Sequence, residues 1–302
     1  MNTSTSDSLS LSHPYRYEGQ PTLEEARRYC ARLAKSHYEN FLVATLFCPR
    51  ALRQHFYNIY AYCRISDDLG DEIGDPQQSL ALLDWWETEL DAMYDGKPRH
   101  PVFVALEETV KRFQIPSEPF RHLLQAFRQD QICTRYATYD DLLGYCRYSA
   151  NPVGHLVLYL AGYRDAERFA LADKTCTALQ LANFWQDVAR DLDKGRIYIP
   201  LEDMARFGYS ETELQARKFT PAFAELMRFE VERTRALFLE GQALCNMVDK
   251  RLRLDIAMFT QGGLEVLRRI ESQGYDVLSR RPAIPKSRQL ALLFKRLFRP
   301  LS

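Results

Sequence analysis

The chain has 302 residues, enough to bury a substantial core as one large domain or two small ones. Its 40 basic and 40 acidic side chains cancel, which removes any long-range pull toward nucleic acid. No apolar run approaches the ~20 residues needed to span a bilayer, and seven scattered cysteines without a CxxC pair describe reduced thiols in a cytosolic protein.

Residues 1–19 are rich in Ser and Thr and carry neither the basic nor the apolar region of a signal peptide, so a flexible tail is expected. Nearly every later segment has helical periodicity, and no alternating strand run with a hairpin turn is present. Thr22 with Glu25 makes a capping box for a first helix reaching about Lys35. Pro49 opens a longer helix, Arg50 to about Asp71, with Leu52, Phe56, Ile59, Tyr60 and Cys63 on its apolar side. Pro76 starts another that Gly96 and Pro98 end, followed by shorter helices over 101–113 and 118–129. Asp140 or Asp141 can cap the helix around Tyr145, with a kink expected at Pro152. Asp165 to Asp191 reads as one long helix, residues 194–208 as an irregular link, and 211–218, 221–247 and 250–273 as three further helices. The expected architecture is all-α, a single domain over 20–282. Beyond it, Lys286, Arg288, Lys295, Arg296 and Arg299 interleave with leucines and phenylalanines over 283–302. Such a basic amphipathic segment can lie on the inner face of an anionic membrane or pack on the body with its charges in water.

Within the long helix, Gln180, Asn183, Asp187 and Asp191 fall inside roughly an 80° arc at about 100° per residue. Leu181, Trp185, Val188 and Leu192 gather on the flank. Short oxygen-bearing side chains are poor helix formers in mid-helix, and aspartates at i,i+4 repel. A divalent cation would compensate both. A second acidic cluster ends the Pro49 helix, where Asp67 and Asp71 share a face with Arg64 one turn earlier. Gly70 between them costs about 1 kcal/mol relative to alanine, which fits a close approach by a ligand or a neighbouring helix. Each cluster alone is compatible with a solvated acidic patch. Two such faces set opposite one another could hold Mg²⁺, which takes oxygen ligands and is commonly completed by substrate phosphates. Arg64, Lys194 and Arg196 could add charge-assisted contacts to a diphosphate. A third stretch, Tyr145 to Gly154, combines small residues with tyrosines and suits either helix packing or an aromatic wall facing a cation.

The three stretches together resemble the squalene/phytoene synthase family of all-α, Mg²⁺-dependent prenyl-diphosphate enzymes, over nearly the whole chain after residue 20. Asp67-x-x-x-Asp71, preceded by Cys63-Arg64, is similar to the first aspartate-rich motif of that family. Gln180, Asn183, Asp187 and Asp191, followed by Gly195 to Pro200, are similar to the second. Tyr145–Gly154 and Ile270–Val277 match two further family stretches. The resemblance implies two or three Mg²⁺ ions on Asp67, Asp71, Asn183, Asp187 and Asp191. It also implies a substrate and diphosphate site built from His37, Arg64, Gln180, Asn183, Lys194, Arg196 and Tyr198.

Departures point to one branch. Where the condensing enzymes carry a basic diphosphate-binding segment, this chain has His37-Tyr38-Glu39-Asn40-Phe41, with an acid in place of the cation. A late aromatic position of those enzymes aligns with Gly263. These features resemble the hydroxysqualene synthase branch of hopanoid biosynthesis, which is understood to take presqualene diphosphate and water to hydroxysqualene and diphosphate. Glu39, Asn40 and Tyr145 are then the candidates to direct the water. No Gly-rich dinucleotide fingerprint follows a strand, so NADPH is not expected. Two alternatives stand beside this reading: head-to-head condensation of two prenyl diphosphates, and a non-catalytic helical partner subunit of a lipid pathway.

Overall fold

The structure, a computed structural model, describes residues 15–36 and 50–283. Among these residues it is helical throughout, with twelve α-helices, one 3₁₀ turn and no strand. In chain order they are α1 (Leu23–Ser36), α2 (Arg50–Asp71), α3 (Pro76–Tyr94), α4 (Pro101–Phe113), α5 (Glu118–Gln129), α6 (Tyr139–Ser149) and α7 (Asn151–Leu160). Then follow α8 (Ala166–Asp193), α9 (Leu201–Arg206), α10 (Glu211–Gln215), α11 (Pro221–Gly241), the 3₁₀ turn Gln242–Asn246 and α12 (Lys250–Ser272).

Helix starts follow local chemistry. The Thr22 hydroxyl and the Glu25 carboxylate cap α1 reciprocally, as the capping box predicts. Asp75 and Asp165 cap α3 and α8 by accepting from Gln78 N–H and Arg168 N–H. Two expectations need correction. The cap of α6 is Thr138, with Asp141 returning the bond from the third position, so neither acid is itself the N-cap. Pro152 does not kink a continuous helix: the chain breaks at Ala150, and Pro152 sits in the first turn of α7, where its missing N–H is no loss. The 194–208 link also holds a short helix, α9, started behind Pro200.

Helix α8 is the axis of the molecule and packs against α6, α7, α11 and α12. Its apolar flank behaves as the periodicity requires: Leu181, Trp185 and Val188 are buried, and Trp185 Nε1 donates to Thr234 Oγ1 at 2.8 Å. That side forms one core with Phe223 and Phe238 of α11 and Leu267 of α12. A second core gathers α1 to α5 around Tyr62, Trp86, Phe103 and Phe120. Each fully buried aromatic of this size contributes roughly 1.5–3 kcal/mol by leaving water. Between the two cores, α7, the start of α8, the 3₁₀ turn and the start of α12 enclose a smaller apolar cluster.

His100 shows how the α1–α5 half depends on pH. Its Nε2–H donates to the Tyr15 carbonyl at 2.8 Å, which leaves Nδ1 to accept from Val102 N–H. Burial against Trp86 pushes its pKa down to about 4 from 6.5. A base with a depressed folded pKa contributes stability above about 6.5 and loses it as pH falls toward about 4. Unfolding free energy should therefore drop by up to about 3 kcal/mol across that window. Urea titrations at both ends of the range check this, and His100→Asn, which can keep the cap, should flatten the dependence.

Candidate active site

The two acidic faces come from different parts of the chain and meet at one end of the helices that carry them. Asp67 and Asp71 lie in the last turns of α2, and Asp187 and Asp191 in the last turns of α8. The helices do not pack along their lengths; side chains bridge the gap. Asp71 accepts from Lys194 Nζ at 3.3 Å and from Arg196 Nη2 at 3.1 Å, both just beyond α8. Asp187 is held by Arg281, whose Nη2 donates to its carboxylate at 2.8 Å and whose Nε donates to the other oxygen. Gln180 is half-buried and Asn183 exposed on the same face.

Within the α2 cluster the neighbouring aspartates have separate tasks. Asp68 points inward, buried, where it pairs with Arg64 and accepts from the Tyr15 hydroxyl. Arg64 also reaches Asp67 at 3.4 Å, so it faces the site only in part. Gly70 gives the close approach its cost foretold, to a helix rather than a ligand. A Cβ there would stand 3.2 Å from Phe127 Cβ of α5, and the Gly70 carbonyl accepts from Gln131 Nε2 at 2.8 Å.

Charge is unbalanced where the acids meet. Burial, followed by the nearby Asp71 carboxylate, pushes Asp67 up to about 6. Burial and then Asp187 push Asp191 up to about 7. These are oxygen donors with surplus negative charge, and that chemistry fits a hard divalent cation. Among the described residues no three His, Cys, Asp or Glu side chains gather around one point. An ion here would thus take one or two carboxylates from a face and the rest of its oxygens from water or substrate.

Below the acids lie two apolar surroundings. Tyr198 stacks on Phe184 at 3.7 Å between ring centroids, with Tyr136 and Tyr145 beside them. Tyr145 donates its hydroxyl to Asp130 Oδ2 at 2.9 Å and is buried. Further along the same helices is a cavity of about 340 Å³, walled almost wholly by apolar side chains. Phe56, Ile59 and Cys63 of α2 line it from one side and Leu179 of α8 from another. Cys63 precedes Asp67 by one turn and Leu179 precedes Asn183 by one turn, so the cavity opens under both acidic faces.

The squalene/phytoene synthase family model matches residues 34–288. The chain belongs to the squalene/phytoene synthase family. It is 31% identical to the 15-cis-phytoene synthase of Synechococcus elongatus, covering 90% of this chain and 92% of that one. Identity to the phytoene synthase of Arthrospira platensis is also 31%, over 90% and 92%. Among solved structures it resembles squalene synthase HpnC from Alicyclobacillus acidocaldarius, with 46% identity and a TM-score of 0.81 over 84% of this chain and 95% of that one. A dehydrosqualene synthase in complex with ligand superposes at 0.82 with 28% identity, over 90% and 95%.

For this family member the structure gathers Arg64, Asp67, Asp71, Asp187, Asp191, Lys194 and Arg196 at one mouth, with Tyr145 and Tyr198 in the wall beside it. His37, Glu39 and Asn40 lie outside the described residues, as do residues 286–299. Among the described residues no helix is long and apolar enough to cross a membrane. Two residues of the site escaped the sequence reading. Asp130 follows α5, is buried, and is pushed up to about 7 by that burial, with Arg196 opposing. An acid at a helix C-terminus faces the wrong end of the helix dipole, and that was its signal. Arg281 carried none: its pairing with Asp187 is made by the tertiary fold alone.

Proposed function

We propose that this enzyme converts presqualene diphosphate and water to hydroxysqualene and diphosphate, with Mg²⁺ as its metal. One observation carries the prenyl-diphosphate part: an acidic mouth edged by Lys194 and Arg196 opens onto a nearly wholly apolar cavity along the same two helices. Such a site takes a molecule with a charged head and a hydrocarbon body. The likeness to a squalene synthase at 46% identity favours a thirty-carbon substrate. The acid in the His37–Phe41 segment and the glycine at 263 favour a substrate with a single diphosphate.

Asp67, Asp71, Asn183, Asp187 and Asp191 would hold the metal, which when bound supplies Lewis-acid neutralisation at the diphosphate oxygens. Lys194 and Arg196 then turn from Asp71 to the diphosphate and donate to its oxygens as the ester C–O bond breaks and the electron pair departs with it. Arg281 is placed to do the same from Asp187. The cavity walls exclude bulk water from the cyclopropylcarbinyl cation and shape its rearrangement. Water must reach it at one chosen point.

The phytoene synthase relatives, matched over 90% of this chain, favour a second reading, condensation of two prenyl diphosphates. Purified protein offered presqualene diphosphate with Mg²⁺ should yield hydroxysqualene, and farnesyl diphosphate alone should yield no thirty-carbon product. Presqualene diphosphate or a hydrocarbon formed from farnesyl diphosphate would replace the first reading with the second.

A further inference from the structure

Among the described residues the cavity has one charged side chain in its wall, Asp255. Asp255 lies on α12, on the face that also presents Leu252, Ile256 and Phe259 to the cavity. It is not a cap, since Asp249 performs that task for α12 by accepting from Arg251 and Leu252 N–H. Its Oδ1 is buried without a hydrogen-bond partner.

A buried polar atom without a partner costs roughly 1–3 kcal/mol. Aspartate is a weak helix former, so local stability does not explain it. A carboxylate with an unmade bond in an otherwise apolar wall is where a water molecule entering the chamber finds a partner.

We propose that Asp255 holds and deprotonates the water that captures the carbocation in this cavity. The inference rests on the hydroxysqualene reading above. The water oxygen uses a lone pair to form the new C–O bond at the cationic carbon. One O–H bond breaks, and its proton passes to the Asp255 carboxylate, from which it later returns to solvent. No electron carrier is needed, because the charge lost by the carbon is carried by the proton. Burial, with Asp249 nearby, pushes the Asp255 carboxyl up to about 7, close to the value that suits a proton acceptor at neutral pH. A carboxylate facing the chamber also lowers the energy of a cation within it.

The test compares products from presqualene diphosphate and Mg²⁺ by gas chromatography and mass spectrometry. In Asp255→Asn the alcohol share of the thirty-carbon products should fall at least about 10-fold, with hydrocarbons formed by proton loss from carbon rising in its place. The melting temperature of Asp255→Asn should not fall, since the variant removes a buried unpartnered carboxyl; a residue of purely structural value would lower it. An unchanged alcohol share in Asp255→Asn, with hydroxysqualene still made by the wild type, overturns the inference alone. A wild type that makes no hydroxysqualene from presqualene diphosphate overturns the reading and the inference with it.

Discussion

Asp191→Asn should slow diphosphate release by about 10²–10³-fold and, at the same time, raise the melting temperature of the metal-free protein. Both effects have one cause. Burial and the Asp187 carboxylate push Asp191 up to about 7, so its ionised form is disfavoured in the fold. For an acid with a raised folded pKa, the penalty is complete above about 7 and vanishes as pH falls toward the ordinary value of 3.8. The stabilisation by asparagine should accordingly be of order 1 kcal/mol or more near pH 8 and absent near pH 4. The same charge is what a divalent cation and a departing diphosphate would use. Thermal shifts with Mg²⁺ and inorganic diphosphate should be several degrees in the wild type and much smaller in the variant. Scanning fluorimetry at both pH values, with turnover measured beside it, decides the matter. Ordinary Mg²⁺-dependent turnover in the variant would remove Asp191 from the proposed site.

Gly263→Ala should destabilise the protein by about 1–3 kcal/mol, although alanine is the better helix former by about 1 kcal/mol. A Cβ at 263 would stand 2.1 Å from Cζ of Phe238 and 2.8 Å from its Cε1. That ring belongs to α11, is fully buried and cannot swing aside in a close-packed core. Phe238 of α11 thus fills the space that any side chain at 263 would enter. Phe238→Leu should therefore be costly alone, by about 1–3 kcal/mol, yet recover part of the loss when combined with Gly263→Ala. Urea denaturation of the two single variants and the double variant measures the coupling. Strict additivity would mean that the two positions do not share that space.

Much of this architecture was legible because the chain punctuates its helices. Thr22, Pro76 and Asp165 each start an element where the structure begins one. The acidic arc of α8 was legible because three short polar side chains on one face, Asn183, Asp187 and Asp191, violate helix preference together. Pro152 misled because a proline inside an apolar periodic run suggests a kink and equally suits the first turn of a new helix; the break falls at Ala150, a good helix former that gives no sign of it. Asp255 was invisible for the opposite reason. One acid among the alternating charges at the start of α12 looks solvated until the cavity behind it is known. Arg281 and Asp187 are joined by tertiary structure, and no local pattern announces such a pair.

The pairing of Asp71 with Lys194 and Arg196, and of Asp187 with Arg281, has a thermodynamic corollary. Asp71 and Asp187 already have cations, and Lys194, Arg196 and Arg281 already have anions. A metal arriving alone must displace these bases into an unpaired state, and a diphosphate arriving alone must strand these acids. Arriving together, they let the pairs exchange partners without leaving either side stranded. Metal and diphosphate are thus expected to be heterotropic ligands with a positive coupling free energy, each raising the affinity of the other by the same factor. Loss of either guest restores the internal pairs and loosens the other, so the ion pairs of the resting enzyme would also drive the release of product.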